Sequence, residues 1–102
     1  MVGSMRTFLV ECYLPGVDEA AVSAAAASAR HAAETLTERG DPIAYLGATL
    51  VPADEVVFHA FTASDAATVE AASLVAGLAF ERVVESTGVP GVPAPGSTLP
   101  LR

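Results

Sequence analysis

Near the start of the chain, apolar side chains at every second position alternate with a set that includes the charged Glu11. This alternation predicts a β-strand over residues 6–14, ended by the turn pair Pro15-Gly16. An alanine-rich segment follows, in which apolar residues recur at helical spacing as far as Arg39. Asp18 is placed to cap the beginning of this helix and Gly40 to end it. The chain is therefore predicted to begin with a strand and a long helix.

Two further strands are predicted at residues 43–51 and 56–62, joined by a short polar segment of hairpin length. Ser64 is expected to cap a second helix over 65–76, which Gly77 ends, and the last strand is predicted over 79–86. The resulting order βαββαβ is that of ferredoxin-like α+β domains. We expect a four-stranded antiparallel sheet in the order 4-1-3-2, with both helices on one face.

The composition changes after residue 88, where four of the chain's seven prolines follow within a short segment. We therefore divide the chain into a ferredoxin-like domain, 5–88, and a Pro/Gly-rich tail, 89–102. The tail is predicted to be extended or disordered. Docking of its apolar residues on a partner subunit is the alternative.

Charge and composition exclude several classes of function. The 102 residues include 12 acidic side chains against 5 arginines and no lysine, giving a formal net charge of -7. This charge disfavours nucleic-acid and membrane partners, and no apolar run has the length of a membrane helix. Cys12 is a single cysteine, and the chain start shows no secretion signal, so we expect a cytoplasmic protein. No phosphate loop or dinucleotide motif is present, so no cofactor is expected.

Glu11 is the most informative charged residue, because it lies in the middle of the first predicted strand. It alternates with the apolar set that includes Cys12, so we expect Cys12 in the core and Glu11 on the sheet face without helices. A carboxylate there needs a partner or a raised pKa. Glu11 either forms a salt bridge with Arg82 or Arg6, or acts as a general base in an apolar pocket.

His59 is the second candidate, in the third predicted strand. We place it on the open face as well, because an imidazole against alanine-rich helices would have few partners. The first and third strands are neighbours, which brings His59 within reach of Glu11. The imidazole is then satisfied within the sheet or an interface, acts in acid-base chemistry with Glu11, or binds a metal. Glu81 and Glu85 lie on the same side of the last predicted strand, and they join this cluster if that side also faces outward.

Apolar and aromatic side chains would form the walls of a pocket around these groups. The predicted lining comprises Leu9, Tyr13, Val57 and Phe61. Tyr45 or Tyr13 could orient a ligand through its hydroxyl. An even hairpin loop places Tyr45 on the face opposite His59 and a three-residue loop places both on one face, and the sequence leaves both possibilities open.

An open sheet face with so many apolar side chains would be a large exposed patch on a monomer. We therefore expect a homodimer in which two such faces pack together, as a dimeric α+β barrel. A barrel of this kind leaves room for one small, largely apolar ligand in each subunit.

Several short segments carry a resemblance to a known family. They are Phe8-Leu9-Val10-Glu11, Tyr13-Leu14-Pro15-Gly16, Tyr45-Leu46-Gly47, Ala76-Gly77-Leu78 and Phe80-Glu81-Arg82-Val83-Val84-Glu85. The chain resembles a family of small actinobacterial proteins of unknown function, some labelled nickel-binding, which is similar to dimeric α+β-barrel proteins such as muconolactone isomerase and small monooxygenases. The resemblance implies the fold, the dimer and, as an alternative, bound nickel. Cys12 and Tyr13 stand where the nickel-binding members carry histidines.

Three functions follow from these observations. The first is a small-molecule-binding dimer without cofactor, with Glu11 as base and His59 as its partner in an isomerase or cyclase. The second is a nickel-binding protein that uses His59 with Glu11, Glu81 or Glu85. The third is a dimerisation module without a ligand.

Overall fold

The structure is a computed structural model that describes residues 4–88. Its elements are β1 (Arg6–Tyr13), α1 (Glu19–Glu38), β2 (Ile43–Val51), a short 3-10 turn (Pro52–Asp54), β3 (Val56–Ala63), α2 (Ala66–Ala76) and β4 (Arg82–Ser86). This order confirms the predicted ferredoxin-like βαββαβ fold. The predicted tail, 89–102, lies outside the described residues, so the division at residue 88 stays a prediction.

Aspartate side chains begin both helices. Asp18 Oδ1 accepts a hydrogen bond from the Ala21 amide at 2.8 Å, as the sequence predicts. At the second helix the cap is Asp65 rather than Ser64, because Asp65 Oδ1 accepts from both the amide and the hydroxyl of Thr68. Gly77 ends α2 at a φ of 75°, a left-handed conformation that suits glycine.

The last strand begins three residues later than predicted. Glu81 donates its amide to the Glu11 carbonyl at 2.7 Å, and regular pairing with β1 follows from Arg82. Leu78 and Phe80 pack against the core in the segment before the strand. The predicted strand residues 79–81 therefore form an irregular segment that covers part of the core.

The four strands form one antiparallel sheet in the order β2-β3-β1-β4, as predicted. Small side chains on α1 allow the helix to approach one face of this sheet closely. The core between the helices and that face consists of Phe8, Val10, Cys12, Ala29, Ala32, Ala33, Leu36, Ile43, Val57, Phe61, Ala63, Val69 and Ala72. No helix within residues 4–88 has the length and apolarity needed to cross a membrane.

Candidate functional site

The six predicted site residues separate onto two faces of the sheet. Leu9, Glu11 and Tyr13 lie on the face without helices, whereas Tyr45, His59 and Phe61 lie beneath the helices. Residues paired across neighbouring strands share a face, so the pairing of Val10 with His59 and of Glu11 with Phe58 determines this division. The single open-face pocket expected from the sequence is therefore not formed.

The placement of His59 on the open face is wrong. Its side chain is 0% exposed and lies on the covered face together with Val57 and Phe61. The prediction depends on the expectation that an imidazole against alanine-rich helices has few partners. Tyr45 is one such partner, because its hydroxyl lies 2.8 Å from His59 Nδ1.

A β-bulge brings Tyr45 to the covered face. Counted from the pair Val51 and Val56, the even loop would place Tyr45 opposite Thr62, with its side chain on the open face. The register shifts between Tyr45 and Gly47, so Tyr45 pairs instead with Phe61. Gly47 has a φ of 143°, which side-chain-bearing residues rarely adopt. One extra residue in β2 thus moves the phenol from the open face to the side of His59.

Glu11 has its own partner on the open face. Arg82 Nε donates to Glu11 Oε1 at 2.6 Å, which confirms the salt bridge expected as one of the two alternatives. The predicted contact with His59 is wrong, because the sheet separates the two side chains. Glu11 and His59 therefore do not form an acid-base pair.

The predicted cluster of carboxylates is also absent from the open face. Arg82 and Val84 face outward there, whereas Glu85 lies on the other side and accepts a hydrogen bond from Arg6 at 3.1 Å. Within residues 4–88 no three His, Cys, Asp or Glu side chains lie close enough to hold a metal ion. The residues proposed for nickel, His59 and Glu11, are not assembled into a ligand set.

Both members of the Tyr45–His59 pair are neutral at neutral pH. Burial lowers the pKa of His59 from its ordinary value of about 6.5. Burial raises the pKa of Tyr45, although the Arg30 guanidinium opposes this effect. The pair is therefore a phenol bonded to an uncharged imidazole.

The other imidazole nitrogen, His59 Nε2, is buried without a hydrogen-bond partner among the described residues. If Nε2 carried the proton, a buried N–H donor would be left unsatisfied, which is rarer in proteins than an unsatisfied acceptor. We therefore assign the proton to Nδ1, which then donates to the Tyr45 oxygen. In this tautomer the Tyr45 O–H is free to donate to another group.

Tyr45 also lines a groove of about 440 Å³ between α1 and β2. The groove is lined by Arg30, Ala33, Glu34, Thr37, Glu38, Ile43, Ala44 and Tyr45. The Arg30 guanidinium carbon lies 5.6 Å from the centre of the Tyr45 ring, within the range of a cation–π contact. The Thr37 hydroxyl bonds the carbonyl and the amide of Ile43 and so joins helix and strand.

The sequence interpretation missed Arg30 and Thr37. Arg30 follows the buried Ala29 and lies about 60° around the helix from the buried Ala33, so it borders the apolar stripe. This position at the edge of the stripe is the signal that could have identified it. Its contact with Tyr45 could not be foreseen, because it depends on the bulge in β2.

Cys12 is a core residue, as predicted. Its side chain is 1% exposed, and burial, together with the nearby Glu81 and Glu11 carboxylates, raises its pKa to about 11. The group is therefore a thiol rather than a thiolate at neutral pH, which makes it a poor nucleophile.

Comparison with known proteins returned no matching family model, curated protein or solved structure. The resemblance to the actinobacterial family thus stays a prediction beyond the fold itself.

Proposed function

We propose that this protein binds a small, largely apolar molecule in the groove between α1 and β2 and transfers a proton to it through Tyr45. The observation that carries the proposal is Tyr45, a residue of the groove lining whose hydroxyl is bonded to the buried His59. A concave site with an apolar floor and a few fixed polar groups is typical of small-molecule binding. The reaction class is that expected from the sequence, an isomerisation or cyclisation without cofactor, but Glu11 has no part in it.

Tyr45 is suited to act as a general acid. When its proton moves to a ligand atom, the negative charge stays on the phenol oxygen. The His59 Nδ1–H donates to that oxygen, and the Arg30 guanidinium over the ring favours the negative charge. Uptake of a proton from another position of the ligand would restore the phenol, so an isomerisation leaves the protein unchanged.

We further propose a homodimer through the open sheet face. Leu9, Phe58 and Val84 lie on this face around the Glu11–Arg82 ion pair, and no helix of residues 4–88 covers it. Three strands of eight or nine residues and one of five cover roughly 500 Å². Two such faces together supply about 1,000 Å², the lower limit of a specific interface. We therefore expect a dimer that dissociates on dilution.

The binding proposal is tested by screening isotope-labelled protein against mixtures of small aromatic and aliphatic compounds by amide NMR. We expect binding compounds to shift the signals of residues 30–38 and 43–45. Compounds that accept a hydrogen bond should bind Tyr45→Phe about 5-fold more weakly, the loss of one neutral hydrogen bond. Tyr13→Phe is the matched control, because Tyr13 is 51% exposed on the opposite face. An absence of binding, or shifts confined to the open face, would contradict the proposal.

Proton transfer has a separate test. A bound compound incubated with the protein in D₂O should gain deuterium at an acidic C–H position, detected by mass spectrometry. Tyr45→Phe should lower the exchange rate by about 100-fold, since a positioned acid-base group contributes at least that much. Equal exchange rates in Tyr45→Phe and Tyr13→Phe would show that Tyr45 is not the acid and would contradict the proposed role.

A further inference from the structure

The outer surface of α2 is apolar. One side of the helix is buried against the sheet through Val69, Ala72 and Ser73. The exposed residues are Ala67, Glu70, Ala71, Leu74 and Val75, and Glu70 is the only charged residue of the helix. A helix that is apolar all round is normally buried all round. The outer surface of α2 therefore lacks a covering partner within residues 4–88.

The exposed apolar side chains form one strip along the helix. Ala67, Ala71, Leu74 and Val75, called here the outer strip, lie within about 100° of arc and along about 12 Å of the helix axis. Leu74 is 70% exposed, more than any other large apolar side chain of the described residues. The other helix, α1, differs because it exposes the ionisable side chains Glu19, Arg30, His31, Glu34 and Glu38. Adjoining exposed apolar side chains are typical of a docking surface.

The described chain ends beside the beginning of this strip. Ser86, the last residue of β4, pairs with Thr7, and Ala63, the last residue of β3, pairs with the neighbouring Arg6. Both strands therefore end at the same end of the sheet. α2 begins three residues after Ala63 and packs on β4, the edge strand. The chain that follows β4 thus emerges near the beginning of α2.

The composition of residues 89–102 suits an apolar surface. They include five valine, leucine or alanine residues and four prolines, and Arg102 is their only charged residue. Burial of such side chains is favourable, and proline, whose φ is already fixed, reduces the entropy lost on docking. The segment has no acidic side chain, so Glu70 at the border of the outer strip does not repel it.

We propose that residues 89–95 dock on the outer strip of α2 in the same molecule and run along the helix from its beginning. Seven residues of extended, proline-rich chain span about 22 Å, which exceeds the length of the strip. Val89 and Val92 are one turn apart in such a chain, so both side chains contact the helix. This inference goes beyond the proposed function and does not depend on it, because docking on α2 leaves the groove and the open sheet face free.

The test places a nitroxide spin label on the full chain through Ser97→Cys. Cys12 should not react, because it is 1% exposed and its pKa is raised to about 11, and wild type treated with the same reagent is the check. Docking brings residue 97 to the far end of α2, so the label should broaden the amide signals of residues 74–78 most strongly. A segment that does not dock should broaden mainly the signals near its point of attachment, residues 64–67, and this result would overturn the inference.

Leu74→Lys places a charge on the outer strip and should abolish the broadening at residues 74–78. Val92→Lys should do the same from the side of the docked segment, without altering α2. The matched control is Leu46→Lys, since Leu46 is 57% exposed but lies in β2, at the other edge of the sheet, and it should keep the broadening. Broadening that persists in Leu74→Lys and Val92→Lys would contradict docking on this strip.

Other occupants of the strip give different results. Spin-labelled protein without isotopes is mixed with isotope-labelled protein that carries no spin label. Docking within one molecule predicts no broadening at residues 74–78 in this mixture. Broadening there would show that the segment docks on a second molecule, and broadening of the open sheet face in the singly labelled protein would show that the segment covers that face. Either result would overturn the inference.

Discussion

Tyr45 and His59 share one hydrogen bond, and this bond gives the buried imidazole its partner. The His59 side chain is fully buried, and its one hydrogen bond runs to the Tyr45 hydroxyl. A buried polar atom that loses its partner retains the full penalty of leaving water. The phenol therefore contributes to folding as well as to the proposed chemistry.

Replacement of Tyr45 by Phe should lower the free energy of unfolding by about 1–3 kcal/mol, because both nitrogens of His59 would then lack a partner. The measurement is urea denaturation at pH 7.5. Tyr13→Phe removes a hydroxyl from an exposed ring and should change the stability by less than about 0.5 kcal/mol. Equal effects of the two substitutions would show that the Tyr45–His59 bond does not stabilise the fold.

His59 should also make the stability depend on pH. Its pKa is lowered in the folded protein, so below about pH 6.5 the unfolded chain binds a proton that the folded chain does not. The contribution to stability is therefore complete above that pH and is lost as the pH falls towards the folded pKa, by up to about 1.4 kcal/mol per pH unit.

The check is the difference in unfolding free energy between wild type and His59→Gln from pH 7.5 to 5. The wild type should lose stability over this interval relative to the variant. The capping carboxylate Asp65 also has a lowered pKa, but its contribution is lost only near its ordinary pKa of about 4 and below. Parallel curves for the two proteins would rule out His59 as the titrating group.

At the scale of single elements, the bulge in β2 has the largest consequence. It reverses the faces of all β2 residues that precede it, and it requires Gly47 at a φ of 143°. No atom outside the adjoining residues lies within 4 Å of the position where a Cβ would be added, so any penalty of a side chain there comes from the backbone alone.

Gly47→Ala should therefore destabilise the protein by about 1–3 kcal/mol, the usual penalty of a disfavoured backbone conformation. The shift in the midpoint of thermal unfolding measures it. Gly88→Ala is the control, because Gly88 has similar open space and no left-handed backbone. If Gly47→Ala is as stable as the control, the bulge does not depend on glycine.

The sequence predicted the elements better than it predicted the site, and the reason is physical. Helix caps, turn residues and alternation are local signals, and they identified the strand order and the core set around Cys12. The sheet face of each β3 side chain was harder to predict, because both alternating sets of side chains in this strand are largely apolar. Only the pairing with β1 distinguishes the two sets. The face of Tyr45 depends on a bulge that the loop length does not reveal.

At the scale of the whole molecule, the proposed dimer rests on the apolar open face. Phe58→Lys places a charge among the apolar residues of that face without touching the covered core. We expect sedimentation analysis of this variant to show monomers at concentrations where the wild type is dimeric. Leu74→Lys, on the exposed surface of α2, is the matched control because Leu74 is 70% exposed. A wild type that is monomeric at every concentration would refute the dimer.

The two bonds between Thr37 and Ile43 have a consequence for association. β2 is an edge strand, and an unpaired edge invites a strand of another molecule to extend the sheet. The Thr37 hydroxyl occupies both the donor and the acceptor of Ile43 on that edge. An incoming strand would find no free backbone group at the first residue of β2, so this end of the sheet is protected from the edge-to-edge pairing that leads to aggregation.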